Sequence, residues 1–144
     1  MNEQLEIGGY TISFDRAATL AAYSQFAEPE PEKCGCWYCR NWAAGRANTL
    51  PMKVRELLEQ IGIPYSGEIE VWQVAGQHLK HLYGGWYMFV GTLSTIPEYN
   101  LTFSIGDWNL SFSGKASYPM VQFGDARVCE LHFVTEVEDF IPPE

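Results

Sequence analysis

Cys34-Gly35-Cys36-Trp37-Tyr38-Cys39 places three thiols within six residues. A thiolate is both a soft metal ligand and a nucleophile, so this run can do chemistry in two ways. As a metal site, Cys-x-Cys-x-x-Cys wraps three thiolates round one Zn²⁺, with Gly35 easing the turn. Closed tetrahedral zinc needs a fourth ligand. The candidates are His78, His81, Cys129 and His132. Alternation puts Cys129 with Leu131 and Phe133 on a core face, where a thiol packs as a small apolar group. His132 falls on the opposite face beside Glu130. His81, just before a central strand, is the preferred fourth ligand, so the expected metal set is Cys34, Cys36, Cys39 and His81 around zinc. As a redox site, Cys36-x-x-Cys39 at a helix N-terminus gains from the helix dipole and from nearby bases. That spacing ordinarily follows a strand in a βαβ unit; here a Glu-Pro tract precedes it and an antiparallel pattern follows. In a third reading the cysteines only pack a helix against a sheet, together with Trp37 and Trp42.

Other chemistry is thinly represented. There is no G-x-S-x-G elbow and no phosphate-binding glycine loop followed by Lys and Ser. The three His have no evident Ser or Asp partner, and Glu136, Glu138 and Asp139 read as a solvated rim. No catalytic residue is therefore assigned. Gly84-Gly85 lies within the aromatic run Leu82 to Tyr87. Paired glycines in a strand mark a bulge, a close backbone approach or an aromatic-lined groove, and the bulge is the preferred reading.

The charge around the thiols differs from the rest of the chain. Residues 33–60 carry a net +3, whereas residues 1–32 carry −5 and residues 61–144 carry −7. The whole chain of 144 residues has a formal charge of −9. Acidity of that size disfavours nucleic-acid and anionic-membrane partners, because their phosphates repel it. No apolar run is long enough to span a bilayer. Glu3 and Glu6 stand where a secretory leader would be basic and then apolar, so the expected location is the cytoplasm. The length fits one domain, 1–144, and 47% hydrophobic residues suffice for a core.

The elements that must position the thiols are readable from turns and periodicity. Leu5-Glu6-Ile7 and Tyr10 to Phe14 flank Gly8-Gly9, a two-residue hairpin turn. Asp15 can cap a short helix over 16–26, with Leu20, Tyr23 and Phe26 on one side. Glu28-Pro-Glu-Pro-Glu32 reads as an extended connector. Helices follow over 36–47 and from Pro51, the latter with Val54, Leu57, Leu58 and Ile61 on one face and Gly62 as its C-terminal cap. Strands are expected at 69–74, 82–93, 101–105, 108–112, 120–123 and 127–134. Gly106-Asp107 should turn a hairpin that pairs Ile105 with Trp108, Phe103 with Leu110 and Leu101 with Phe112. The predicted fold is α+β: a mostly antiparallel sheet of about six or seven strands, with a helical insertion (about residues 36–61) packed on one face.

CGCWYCRNW (Cys34 to Trp42), LPMKVRELLEQIGI (Leu50 to Ile63) and HLYGGWYMFVG (His81 to Gly91) together resemble a group of small bacterial cytosolic proteins. In these, a Cys-x-Cys-x-x-Cys-x-Asn run precedes a Leu-Pro-initiated helix and a Tyr-Gly-Gly-aromatic strand. The resemblance implies a common architecture and makes Cys34, Cys36, Cys39 and Asn41 a shared feature; it implies no activity. The functional expectation is a non-enzymatic binding domain whose acidic surface suits a basic protein partner, with the cysteines as a clasp that zinc can close. The alternative is a thiol- or metal-dependent enzyme centred on Cys34, Cys36 and Cys39.

Overall fold

The computed structural model describes residues 2–74 and 80–143. The first hairpin joins β1 (Glu3–Ile7) to β2 (Tyr10–Phe14). Gly8 and Gly9 have φ of 60° and 85°, the left-handed region that a primed turn demands. Its register pairs Leu5 with Ile12 and Ile7 with Tyr10, as the alternation predicts. Asp15 then caps α1 (Arg16–Tyr23), its carboxylate accepting from Ala18 N at 2.9 Å.

Three helices follow: α2 (Glu30–Cys34), α3 (Trp37–Thr49) and α4 (Met52–Ile61). The α2 turn corrects the expectation of an extended Glu-Pro tract, and the helical insertion starts at Glu30. Pro29 is its N-cap and Pro31 sits in its first turn. First-turn N–H groups have no intrahelical acceptor, so proline loses nothing there. Gly62 ends α4 with φ 99°, and a Cβ at that position would stand 2.7 Å from Arg16 O.

The remaining strands are β3 (Glu70–Val74), β4 (Lys80–Thr95), β5 (Phe103–Ile105), β6 (Trp108–Ser113) and β7 (Val128–Glu138). They complete a seven-stranded sheet in the order β1-β2-β4-β7-β6-β5, with β3 also on β4, and every pairing is antiparallel. This is the predicted α+β architecture.

The long strand β4 sets the problem that the other elements solve. Along one edge β7 pairs with Lys80 to Val90. On the other edge β3 covers Leu82 to Trp86 and β2 covers Gly91 to Thr95. Backbone groups left between them must find partners. Helix α1 and its N-cap provide these, three of the four bonds through side chains. The Tyr23 hydroxyl donates to Met88 O at 2.8 Å and accepts from Met88 N at 3.0 Å. Thr19 Oγ1 accepts from Val90 N at 3.0 Å, and Asp15 N donates to Val90 O at 2.9 Å. A helix thus completes a strand edge. This corrects the predicted α1 face. The helix ends at Tyr23, it turns Thr19, Ala22 and Tyr23 inward, and Leu20 is left 41% exposed.

The core lies between the sheet and helices α1, α3 and α4. Trp42 stacks on Phe133 with ring centroids 5.3 Å apart and also meets Tyr83 and Trp108. Gly84 and Gly85 do not bulge, since the register runs through them unbroken on both sides. They admit close neighbours instead. A Cβ on Gly84 would overlap the Trp72 ring, and one on Gly85 would overlap Glu70 O. Two further expectations fail locally. Leu101 is outside the β5–β6 ladder, with its carbonyl taken by the Tyr10 hydroxyl. Residues 121–123 form a 3₁₀ turn rather than a strand, with Gly124 in a positive-φ conformation after it. That turn carries Phe123 against Tyr23 and Phe26.

Tyr23→Phe keeps the ring and orphans both backbone groups of Met88. It should lower the unfolding free energy by about 1–3 kcal/mol, read from urea denaturation. Tyr10→Phe, which loses one part-buried bond, should cost less.

Candidate metal centre

Two helix ends bring the thiols together. Cys34 is the last residue of α2, Gly35 reverses the chain with φ 74°, and Cys36 is the N-cap of α3. Nothing lies within 4 Å of where a Gly35 Cβ would stand, so the backbone angle, not lack of space, selects glycine. Cys39 is in the first turn of α3. The three Sγ atoms all lie within 4.8 Å of one another. Thiolates at ~2.3 Å from a tetrahedral zinc sit about 3.8 Å apart, so a modest contraction would close three sides of a coordination shell. Cys34 and Cys36 are exposed and Cys39 is half-buried.

The thiols are electrostatically unequal. Burial pushes Cys36 up, but hydrogen bonds outweigh it, led by the Cys39 N–H donating to Sγ at 3.4 Å; the net shift is downward. Burial raises Cys39 strongly, and the neighbouring Cys34 and Cys36 thiols add to this. One thiolate is favoured and a second beside it is not. A divalent cation would remove that conflict.

His81 is not among the converging ligand atoms. Its pleat position directs it toward α3, where its ring packs edge-on against Trp37 and Tyr38 at 5.3 and 5.4 Å. Its Nε2 lies 2.7 Å from Asp139 Oδ1, so Asp139 is a histidine partner rather than a member of a free rim. Cys129 is fully buried, with burial raising its thiol to about 11, in keeping with a packing role. His132 Nε2 meets Glu130 Oε1 at 2.9 Å and its ring lies on Trp86. His78 lies outside the described residues. Among the described residues the group close enough together to hold a metal ion is Cys34, Cys36 and Cys39.

Sequence reasoning gave Asn41 no task. The structure buries it completely and uses it as a latch. Its Oδ1 accepts from Phe140 N at 2.6 Å and Ile141 N at 3.2 Å, and its Nδ2 donates to Glu138 O at 3.0 Å. Trp37 Nε1 donates to Pro142 O at 2.7 Å. The chain after β7 is thereby fastened to the helix that carries the thiols. A polar residue two positions after the end of a cysteine run is too common a pattern to have signalled this.

Arg46, one of the bases in the +3 segment, is a buried bridge between Glu32 at 2.7 Å and Glu68 at 3.0 Å. Burial raises Glu68 to about 7, against the opposing pull of Arg46 and of the Trp42 indole, which makes no hydrogen bond of ordinary geometry; Glu32 adds a smaller upward push.

No protein-family model, curated protein or solved structure matches this chain. No helix among the described residues is long and apolar enough to cross a membrane.

The folded chain holds a proton on Glu68 between its ordinary pKa of 4.5 and its raised value of about 7. In that window the native state binds more protons than the unfolded state, so this group's contribution to stability falls as pH rises. The facing charges are Arg46 and Glu32, with the Tyr23 and Tyr87 hydroxyls close enough to feel Glu68. Glu68→Gln should gain relative to the parent as pH rises through that window, measured by denaturant titration. An offset independent of pH would exclude the raised pKa.

Proposed function

We propose that the chain is a small binding domain in which Cys34, Cys36 and Cys39 hold one zinc ion as a clasp between α2 and α3. The observation that carries this reading is the convergence of three Sγ atoms within 4.8 Å across a helix–turn–helix junction. Soft thiolates in a tetrahedral arrangement suit zinc. Bound metal would neutralise the crowded thiols and fix α2, which buries little surface of its own: only Pro31 of its five residues is buried. No fourth ligand atom converges on the thiols among the described residues, and both Cys34 and Cys36 face solvent, so water or a group from a partner could complete the shell. A net charge of −9 and the partly exposed Trp72 and Tyr118 beside Glu70 support a basic protein as the partner.

One observation favours thiol chemistry as a second reading. Cys36 is an exposed N-cap with the Cys39 thiol beside it. Attack by the Cys36 thiolate on a substrate disulfide would give a mixed disulfide. Cys39 would then displace the substrate, leaving Cys36–Cys39 oxidised and the substrate reduced to two thiols.

Elemental analysis with thiol titration, before and after a strong chelator, separates the two. The clasp requires one zinc per chain, three thiols that become reactive only after chelation, and weaker zinc retention in Cys34→Ser. Metal-free protein with reactive Cys36 and Cys39 would select the redox reading. Metal-free protein with unreactive thiols would remove both.

A further inference from the structure

The thiol cluster joins two segments that are held very differently. Cys36 and Cys39 belong to the start of α3, which Trp42 anchors on Phe133 and Asn41 fastens to the chain after β7. Cys34 ends α2, a helix of five residues of which only Pro31 is buried. Pro29, Glu30 and Lys33, at and beside that helix, line a cleft of about 190 Å³ with Tyr23, Phe26 and Pro64. Whatever holds α2 in place therefore sets the width of this cleft.

Exposure and reach decide which thiols can be oxidised together. Cys34 and Cys36 face solvent, Cys39 is half-buried and Cys129 is buried. The three Sγ atoms of the cluster lie within 4.8 Å of one another, so two of them can close a disulfide with little movement. The durable pair is Cys36 and Cys39. Both are carried by the first turn of α3, where the Cys39 N–H donates to Cys36 Sγ at 3.4 Å. They stay in reach of each other when α2 moves, whereas Cys34 is in reach only while α2 is in place.

We propose that a peroxide oxidises Cys36 and Cys39 to a disulfide, so that zinc leaves the cluster, α2 loosens and the cleft it lines opens. This regulation rests on the zinc reading, since the clasp is what is lost. The Cys36 thiolate attacks one peroxide oxygen, the O–O bond breaks, and the other oxygen leaves as hydroxide, giving a sulfenic acid. The Cys39 thiolate then attacks that sulfur and displaces a second hydroxide as the S–S bond forms. Two solvent protons convert both hydroxides to water. Two thiolates have lost two electrons and one peroxide has gained them. Cys34 alone remains, too few ligands for a structural zinc. The metal joined α2 to α3, but the disulfide lies wholly at the start of α3.

The test uses the protein with its own zinc, quantified first and then exposed to hydrogen peroxide. A chromogenic chelator follows zinc release, and peptide mass spectrometry locates the disulfide. Amide hydrogen exchange, read by NMR, compares Lys33 and Cys34 of α2 with residues 41–49 of α3. One zinc should leave per Cys36–Cys39 disulfide. Exchange in α2 should quicken at least about tenfold while α3 is unchanged, and Cys129 should stay a thiol. Dithiothreitol with added zinc should reverse all of this, and reduced protein stripped by a chelator should match the oxidised protein in α2. Zinc retained beside the disulfide, a disulfide that takes Cys34 or Cys129, or unaltered exchange in α2 would overturn the inference and leave the zinc reading standing. A chain that holds no zinc and takes none up would overturn the zinc reading, and this inference with it.

Discussion

A strand of sixteen residues has more edge than any one neighbour can cover, and the fold follows from satisfying the edges of β4. One side is simple, because β7 runs along most of it. The other is divided between β2 and β3, which come from opposite sides of the helical insertion. Buried backbone polar groups must be paired, so the gap at Met88 and Val90 fixes where α1 lies and which of its side chains turn inward. Thr19 and Tyr23 are polar because their partners are backbone groups rather than other side chains.

The same economy governs α3. Trp42 anchors the helix by stacking over Phe133 in the middle of the sheet. Once it is anchored, Asn41 and Trp37 reach the chain beyond β7 and hold it. Gly45 leaves room for the Phe140 ring, which a Cβ would displace. The first turn of this well-held helix presents Cys36 and Cys39, while Cys34 arrives on the short α2. The thiol cluster therefore joins a rigid element to a marginal one. That is where an added bond between two segments contributes most to order, because the marginal segment has the most freedom left to lose.

Buried charge links the two ends of the helical insertion. Arg46 of α3 lies between Glu32 of α2 and Glu68, just before β3. Two acids on one base leave the site electron-rich, and burial makes Glu68 the acid that gives way. The +3 charge of residues 33–60 is accordingly not one exposed basic face. At least one of its members is spent inside, compensating acids from the flanking negative segments.

Turn chemistry and periodicity were legible without coordinates. Gly8-Gly9 and Gly106-Asp107 fixed two hairpins and their registers, Gly62 ended α4, and the cysteine run announced three converging thiols, because each depends on residues close in sequence. Apart from the α2 turn, where first-turn prolines were tolerated locally, most of the misreadings share one cause. The α1 face, the 3₁₀ turn at 121–123, the work of Asn41, the pairing of His81 with Asp139 and the burial of Glu68 with Arg46 all depend on partners distant in the chain. Local sequence determined which segments form and what chemistry they carry. Only the tertiary structure decided which polar groups are left to find one another, since a hydrogen bond or ion pair across the sheet leaves no period in the sequence.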